Sequence, residues 1–151
     1  MKYQIQRQER KNWCVVASLQ AVLCRRGIRV SQKEISELLP FNSEGVVLNN
    51  SVLNNFLARY TLRAEYVHPR KTIVEIDQVL EERRDSDGLA LFSPQELTHS
   101  SSTAKHCCLV RNFHYPFLEL DDPEKRIERI DFGELTSAMP LDEQCGFYFI
   151  D

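Results

Sequence analysis

Hydrophobic positions in the first third of the chain recur at helical spacing. Val15, Val16, Leu19, Val22 and Leu23 fall on one stripe of a helix that starts after Asn12, the expected N-cap, and stops at Gly27. Ser31-Gln32-Lys33-Glu34 has the form of a capping box and opens a second helix, with Ile35, Leu38 and Leu39 facing inward and Pro40 ending it. A third helix starts near Ser51 and buries Val52, Leu53, Phe56, Leu57 and Tyr60. Residues 63–67 suit a short strand. Thr72-Ile73-Val74-Glu75 offers another capping box, for a helix through about Arg83 whose apolar face is Ile73, Ile76, Val79 and Leu80.

After the turn-type cluster Asp85-Ser86-Asp87-Gly88 the pattern changes to short apolar runs, at 89–92, 106–113, 117–120, 126–130 and 147–150, that read as strands. Asp131-Phe132-Gly133-Glu134 caps one more short helix near Leu135 to Met139. The polar stretch 93–105, with Ser100, Ser101 and Ser102 in a row, is the one long loop and suits a rim or lid. The elements predict an α+β fold in which an N-terminal helical half packs on a C-terminal antiparallel sheet. With 151 residues, 42% of them hydrophobic, the chain is most economically one domain, 1–151.

A formal net charge of −3 argues against nucleic-acid binding, and the local excess of Arg7, Arg10, Lys11, Arg25, Arg26 and Arg29 reads as a solvated face. No apolar run is long enough to span a bilayer, and no apolar stretch of the signal-peptide kind follows the charged start. The expectation is a soluble protein, cytoplasmic or secreted by a route without a cleavable signal peptide. Five cysteines (Cys14, Cys24, Cys107, Cys108, Cys145) are an odd number without repeated spacing, which fits a reducing compartment. No metal or other cofactor is expected. Adjacent residues such as Cys107 and Cys108 point to opposite faces of a strand, no C-x-x-C exists, and His68, His99, His106 and His114 are scattered. Nothing in the sequence fixes an oligomeric state.

The chemistry-bearing residues stand at element boundaries. Cys14, in the first turn of its helix, sits among unpaired N–H groups and the positive end of the helix dipole, which favours the reactive thiolate. Thiol catalysis also needs a base, a group that orients the base, and donors for the oxyanion. His106 opens an apolar strand with Cys108 and Val110 on its own face, which places the imidazole at the sheet edge against the helix. Asp122 follows the next strand, where its carboxylate reaches one imidazole nitrogen while the other faces Cys14. Asp121 is its rival, since alternation lets only one of the two face His106. Gln8, on the approach to the helix, aims its amide at the same carbonyl oxygen as the Cys14 N–H. His99 and His114 do not begin apolar strands and rank below His106.

With Gln8 six positions before Cys14, the run Cys14-Val15-Val16-Ala17-Ser18-Leu19 leading to Gly27 and Val30-Ser31, His106 opening a strand, and Asp122-Pro123, the chain resembles the papain-like cysteine peptidases. Within them it is most similar to the bacteriocin-processing peptidases that remove double-glycine leaders. Val15 stands where that family usually has glycine, and the strand reads His-Cys-Cys-Leu-Val where the family favours an aromatic and aliphatics. The resemblance implies a papain-like fold and a peptide or protein substrate. It also implies Cys14 as nucleophile, His106 as base and acid, Asp122 as orienter and Gln8 as oxyanion donor. The same acyl-enzyme chemistry would serve a deamidase or an acyltransferase, and a relative that kept only the cleft would be a silent peptide-binding module.

Overall fold

The stripe after Cys14 forms α1 (Cys14–Arg25). Val16, Leu19, Val22 and Leu23 are fully buried, each contributing about 1.5–3 kcal/mol through lost apolar surface. The helix ends where Gly27 turns to φ +80°. There the Gly27 N–H donates to the Cys24 carbonyl (3.0 Å) and the Ile28 N–H to the Leu23 carbonyl (2.9 Å), closing the last turn. The start differs from expectation. Asn12 has φ +66° and is not the N-cap; Trp13 takes that place, no side chain among the described residues caps the helix, and Cys14 is its first residue. Asparagine enters the left-handed region more readily than most residues, and Gly45 (φ +131°) approaches so closely that a β-carbon there would lie 3.0 Å from the Asn12 carbonyl oxygen.

The structure, a computed structural model, describes residues 2–70, 75–94, 105–141 and 144–151. In α2 (Gln32–Glu37), Ser31 Oγ accepts from the Glu34 N–H as the capping box requires, and Asn49 caps α3 (Asn50–Leu57), which continues into a 3-10 turn, Ala58–Tyr60. Between these helices lies a hairpin that the sequence pattern did not suggest, β1 (Phe41–Asn42) and β2 (Gly45–Val46). β3 (Ala64–Val67) is the predicted strand. The capping box at 72–74 lies outside the described residues, as do 95–104 of the long loop; the helix assigned to that box is α4 (Ile76–Glu82).

β4 (Asp87–Phe92), β5 (His106–His114), β6 (Phe117–Asp121), β7 (Arg129–Asp131) and β8 (Gly146–Ile150) join β3 in a six-stranded antiparallel sheet, in the order β3-β8-β4-β5-β6-β7. α5 (Phe132–Ser137) follows β7, and Asp131 accepts from the Gly133 and Glu134 N–H groups to cap it. Both sheet faces are covered. Leu89, Leu91, Cys107, Leu109, Tyr148 and Ile150 meet α1 to α3 on one side. Ala90, Phe92, Cys108, Val110, Phe147 and Phe149 meet α4 and α5 on the other. This double burial is why the central strands read as unbroken apolar runs rather than alternating ones.

Asp87 and Gly88, read as turn residues, instead begin β4. Asp87 is fully buried because it is fully partnered: Tyr3 OH donates to it (2.8 Å), as do Arg25 Nε (2.7 Å) and Arg26 Nε (3.0 Å). A charged turn-former enters a strand only with such compensation. A register shift between Val110 and Asn112 leaves one residue unpaired in β5, so that Phe113 returns to the face of Val110.

Candidate active site

β5 and β6 are antiparallel neighbours, so the start of one lies beside the end of the other. His106 is the first residue of β5, Leu109 pairs with Asp121, and Asp122 is the first residue past β6. The imidazole Nε2 donates to Asp122 Oδ1 at 2.7 Å. The other carboxylate oxygen accepts the N–H groups of Arg126 (3.1 Å) and Ile127 (3.0 Å), and Oδ1 also accepts that of Glu124 (2.8 Å). This wrapping explains why β7 is shorter than the strand expected over 126–130: its first N–H groups belong to Asp122 rather than to the ladder. Burial alone would raise the Asp122 carboxyl, but the hydrogen bond and charge of His106 and the backbone N–H groups outweigh it and hold the group at about 2. Burial likewise works against charge on His106, and its hydrogen bonds to Asp122, Cys108 and Cys14 overcome it, so the imidazole stays protonated well above the ordinary histidine range.

Cys14 opens α1 with an exposure of only 6%, against 4% for His106 and 3% for Asp122. Its thiol lies 3.9 Å from the carbonyl of Lys105, the residue before His106. His106 is not at a sheet edge as expected, because β5 lies inside the sheet with β4 and β6 on either side. Nor is its face the one that carries α1. Cys108 and Val110 share its side and pack toward α4 and α5, whereas Cys107 and Leu109 lie under α1. Cys14, the first residue of α1, comes to His106 at the start of β5, where the strand enters the sheet beside that helix.

Asp121 does not meet His106. Its Oδ1 accepts from Arg111 (2.9 Å), its Oδ2 is buried with no partner among the described residues, and burial raises its carboxyl against the pull of Arg111 and Lys125. His114 is exposed at the far end of β5 beside Asn112 (2.8 Å), His68 bonds to the Pro140 carbonyl (2.8 Å), and His99 lies outside the described residues.

Gln8 is tied to the same turn, since its backbone N–H donates to the Pro123 carbonyl at 3.2 Å. Its side-chain Nε2 donates to the Arg10 carbonyl (3.2 Å), while Oε1 is buried with no partner among the described residues. The residue that fixes this segment is one the sequence reading passed over. Gln32, fully buried, accepts from the Glu9 N–H (2.9 Å) and donates to the Arg7 carbonyl and to Gln20 Oε1 (both 3.1 Å), bracketing Gln8 on either side. Its buried polar identity shows only in three dimensions, because by position it is simply the second residue of a capping box.

A narrow cleft opens beside Cys14, lined by Val15, Asn42, Glu44, Val46, Leu91 and Lys105. The β1–β2 hairpin supplies one wall. The turn-type run Asn42-Ser43-Glu44-Gly45 between Phe41 and Val46 is its local signal, but two-residue strands are too short to show a period. No helix among the described residues is long and apolar enough to cross a membrane.

Neither the scan of protein-family models nor the search of curated proteins finds a match to this chain. Solved structures do match. The peptidase domain of Streptococcus ComA, a bi-functional ABC transporter involved in quorum sensing, superposes with a TM-score of 0.68 at 16% identity, covering 99% of this chain and 96% of that one. A double glycine motif protease from an AMS/PCAT transporter, solved with the leader peptide, gives 0.66 at 15% identity over 98% of this chain and 89% of that one. A protein described as a C39-like peptidase from Bacillus anthracis gives 0.71 at 11% identity over 97% and 94%. Over almost its whole length, then, this chain has the papain-like fold of the peptidase domains of bacteriocin-processing transporters.

Proposed function

We propose that the chain is a cysteine peptidase acting on a peptide or protein through a thioester on Cys14. The observation that carries this reading is the buried His106–Asp122 pair, 2.7 Å apart, set against a thiol at the first residue of an uncapped helix. Nε2 is taken by Asp122, which leaves Nδ1 as the nitrogen for the thiol and keeps the imidazole in one orientation. The Cys14 thiolate attacks the carbonyl carbon. The N–H groups at the start of α1 and the second amide hydrogen of Gln8 hold the oxyanion. His106 then gives its proton to the leaving amine, and water hydrolyses the thioester. That Trp13 makes no side-chain cap fits this role, since a capping side chain would occupy the donors that an oxyanion needs. That one structural neighbour was solved with a leader peptide supports a peptide as the substrate class.

The test is alkylation of each cysteine as a function of pH, read by peptide mass spectrometry, in the wild type and in His106→Ala. Rapid labelling of Cys14 into the acid range, slowed by the histidine change, is expected. Labelling no faster than that of Cys24 would leave only a binding cleft. With substrate in hand, product mass separates cleavage from deamidation, which adds about one dalton because the shared acyl-enzyme breaks a different amide. Cys14→Ala must abolish either activity.

A further inference from the structure

Cys108 has no part in that mechanism, yet it lies in the same buried pocket. It stands two residues after His106 on the same face of β5, so the two side chains project together, as adjacent Cys107 and Cys108 do not. The ligating atoms of His106, Cys108 and Asp122 all lie within 4.8 Å of one another, and all three residues are buried. Thiolate, imidazole and carboxylate are together the donor set of a borderline-soft divalent ion, of which Zn²⁺ is the usual case. Burial pushes the Cys108 thiol up to about 11 despite the pull of His106, so without an ion it is a neutral thiol rather than a competing nucleophile.

We propose that His106, Cys108 and Asp122 form a Zn²⁺ site. The ion site does not rest on the peptidase reading. On binding, Cys108 Sγ, one imidazole nitrogen and one Asp122 oxygen each donate a lone pair. The thiol proton of Cys108 and one proton of the imidazolium pass to solvent, and no electrons are transferred. Tetrahedral coordination with bonds of about 2.0–2.3 Å sets ligand atoms roughly 3.3–3.7 Å apart. The 2.7 Å His106–Asp122 contact therefore opens by a little over half an ångström, and the thiol closes in. That is a rotamer-scale adjustment. Asp122 Oδ2 keeps the N–H groups of Arg126 and Ile127, which fix the carboxylate as a supported ligand.

The experiment titrates Zn²⁺ and Cd²⁺ into the full chain carrying Cys14→Ala. It reads stoichiometry by calorimetry and the thiolate-to-metal charge-transfer absorption of the Cd²⁺ form. One ion per chain is expected with Cys14 absent, and affinity falls by more than roughly 100-fold in Cys14→Ala/Cys108→Val, beyond what loss of a merely supporting group costs. Valine keeps an apolar residue of similar size in an apolar cluster, and circular dichroism reports whether the fold is kept; Cys108→Ser is the alternative if it is not. No binding by the Cys14→Ala chain, or equal binding once Cys108 is replaced, overturns the site. Because the titrated chain lacks the nucleophile, neither result bears on whether the wild type is a peptidase.

Discussion

Replacing Asp122 by asparagine tests the local geometry most directly. The carboxylate accepts from His106 Nε2 and the Glu124 N–H on one oxygen, and from the Arg126 and Ile127 N–H groups on the other. All four partners are donors, so the position suits a group that only accepts. An asparagine amide, whichever way it is turned, sets its NH₂ against two of them. Two hydrogen bonds to a buried charged acceptor are lost, at about 1.5–3 kcal/mol each, so Asp122→Asn should destabilise the protein by at least about 3 kcal/mol at neutral pH. Part of this is visible through pH. The carboxyl is held at about 2, below its ordinary value of 3.8, which corresponds to about 2 kcal/mol of stabilisation. Because the folded value is the lower one, the contribution is complete above about pH 4 and is lost as pH falls toward 2. Urea unfolding followed between pH 7 and pH 2 should show the wild type losing about 2 kcal/mol more than Asp122→Asn across that acid window. Parallel curves, or a variant within about 0.5 kcal/mol of wild type at pH 7, would refute the caged carboxylate.

Three further predictions follow from particular contacts. The raised His106 value gives a contribution that is full below the ordinary histidine range near 6.5 and is lost as pH rises toward the folded value. The stability gap between wild type and His106→Gln should therefore narrow from pH 6 to pH 9, and a gap that widened would reverse the assignment. Gln32→Met strips partners from Glu9, Arg7 and Gln20 in a buried site and should cost about 2–4 kcal/mol. If Gln8 is the oxyanion donor, the same change should lower kcat per folded molecule more than it raises KM, whereas a purely structural role would leave kcat alone. Gly27→Ala meets no atom within 4 Å, so its cost is that of a non-glycine residue at φ +80°, about 1–2 kcal/mol; thermal unfolding with no loss would contradict the αL termination of α1.

Much of this molecule can be read from local pattern. The stripe of α1, its stop at Gly27, the Ser31 and Asp131 caps and the apolar runs of β4, β5 and β8 all stand where the sequence puts them, because each depends on residues within one turn or one strand of each other. The order Gln8, Cys14, His106, Asp122 is likewise visible in the chain. Three other things were not visible. Asn12 stands at a cap position by pattern but adopts φ +66° beside Gly45, thirty-odd residues away. Asp87 was read as a turn and is buried by Tyr3, Arg25 and Arg26. Strand alternation, which keeps His106 with Cys108, could not say which sheet face α1 covers.

The sequence by itself therefore determined most of the elements, though not the β1–β2 hairpin or the starts of α4 and β7, and the types of group available near their boundaries, since propensity, capping and apolar period act over a few residues. Tertiary structure decided which of those groups meet. Asp122 rather than Asp121 faces His106, Gln32 clamps the segment of Gln8, and Cys108 joins the His106–Asp122 pocket. Strand register, the shift near Arg111 and the docking of α1 on one sheet face fix distances between residues about ninety positions apart, and no local preference carries that information.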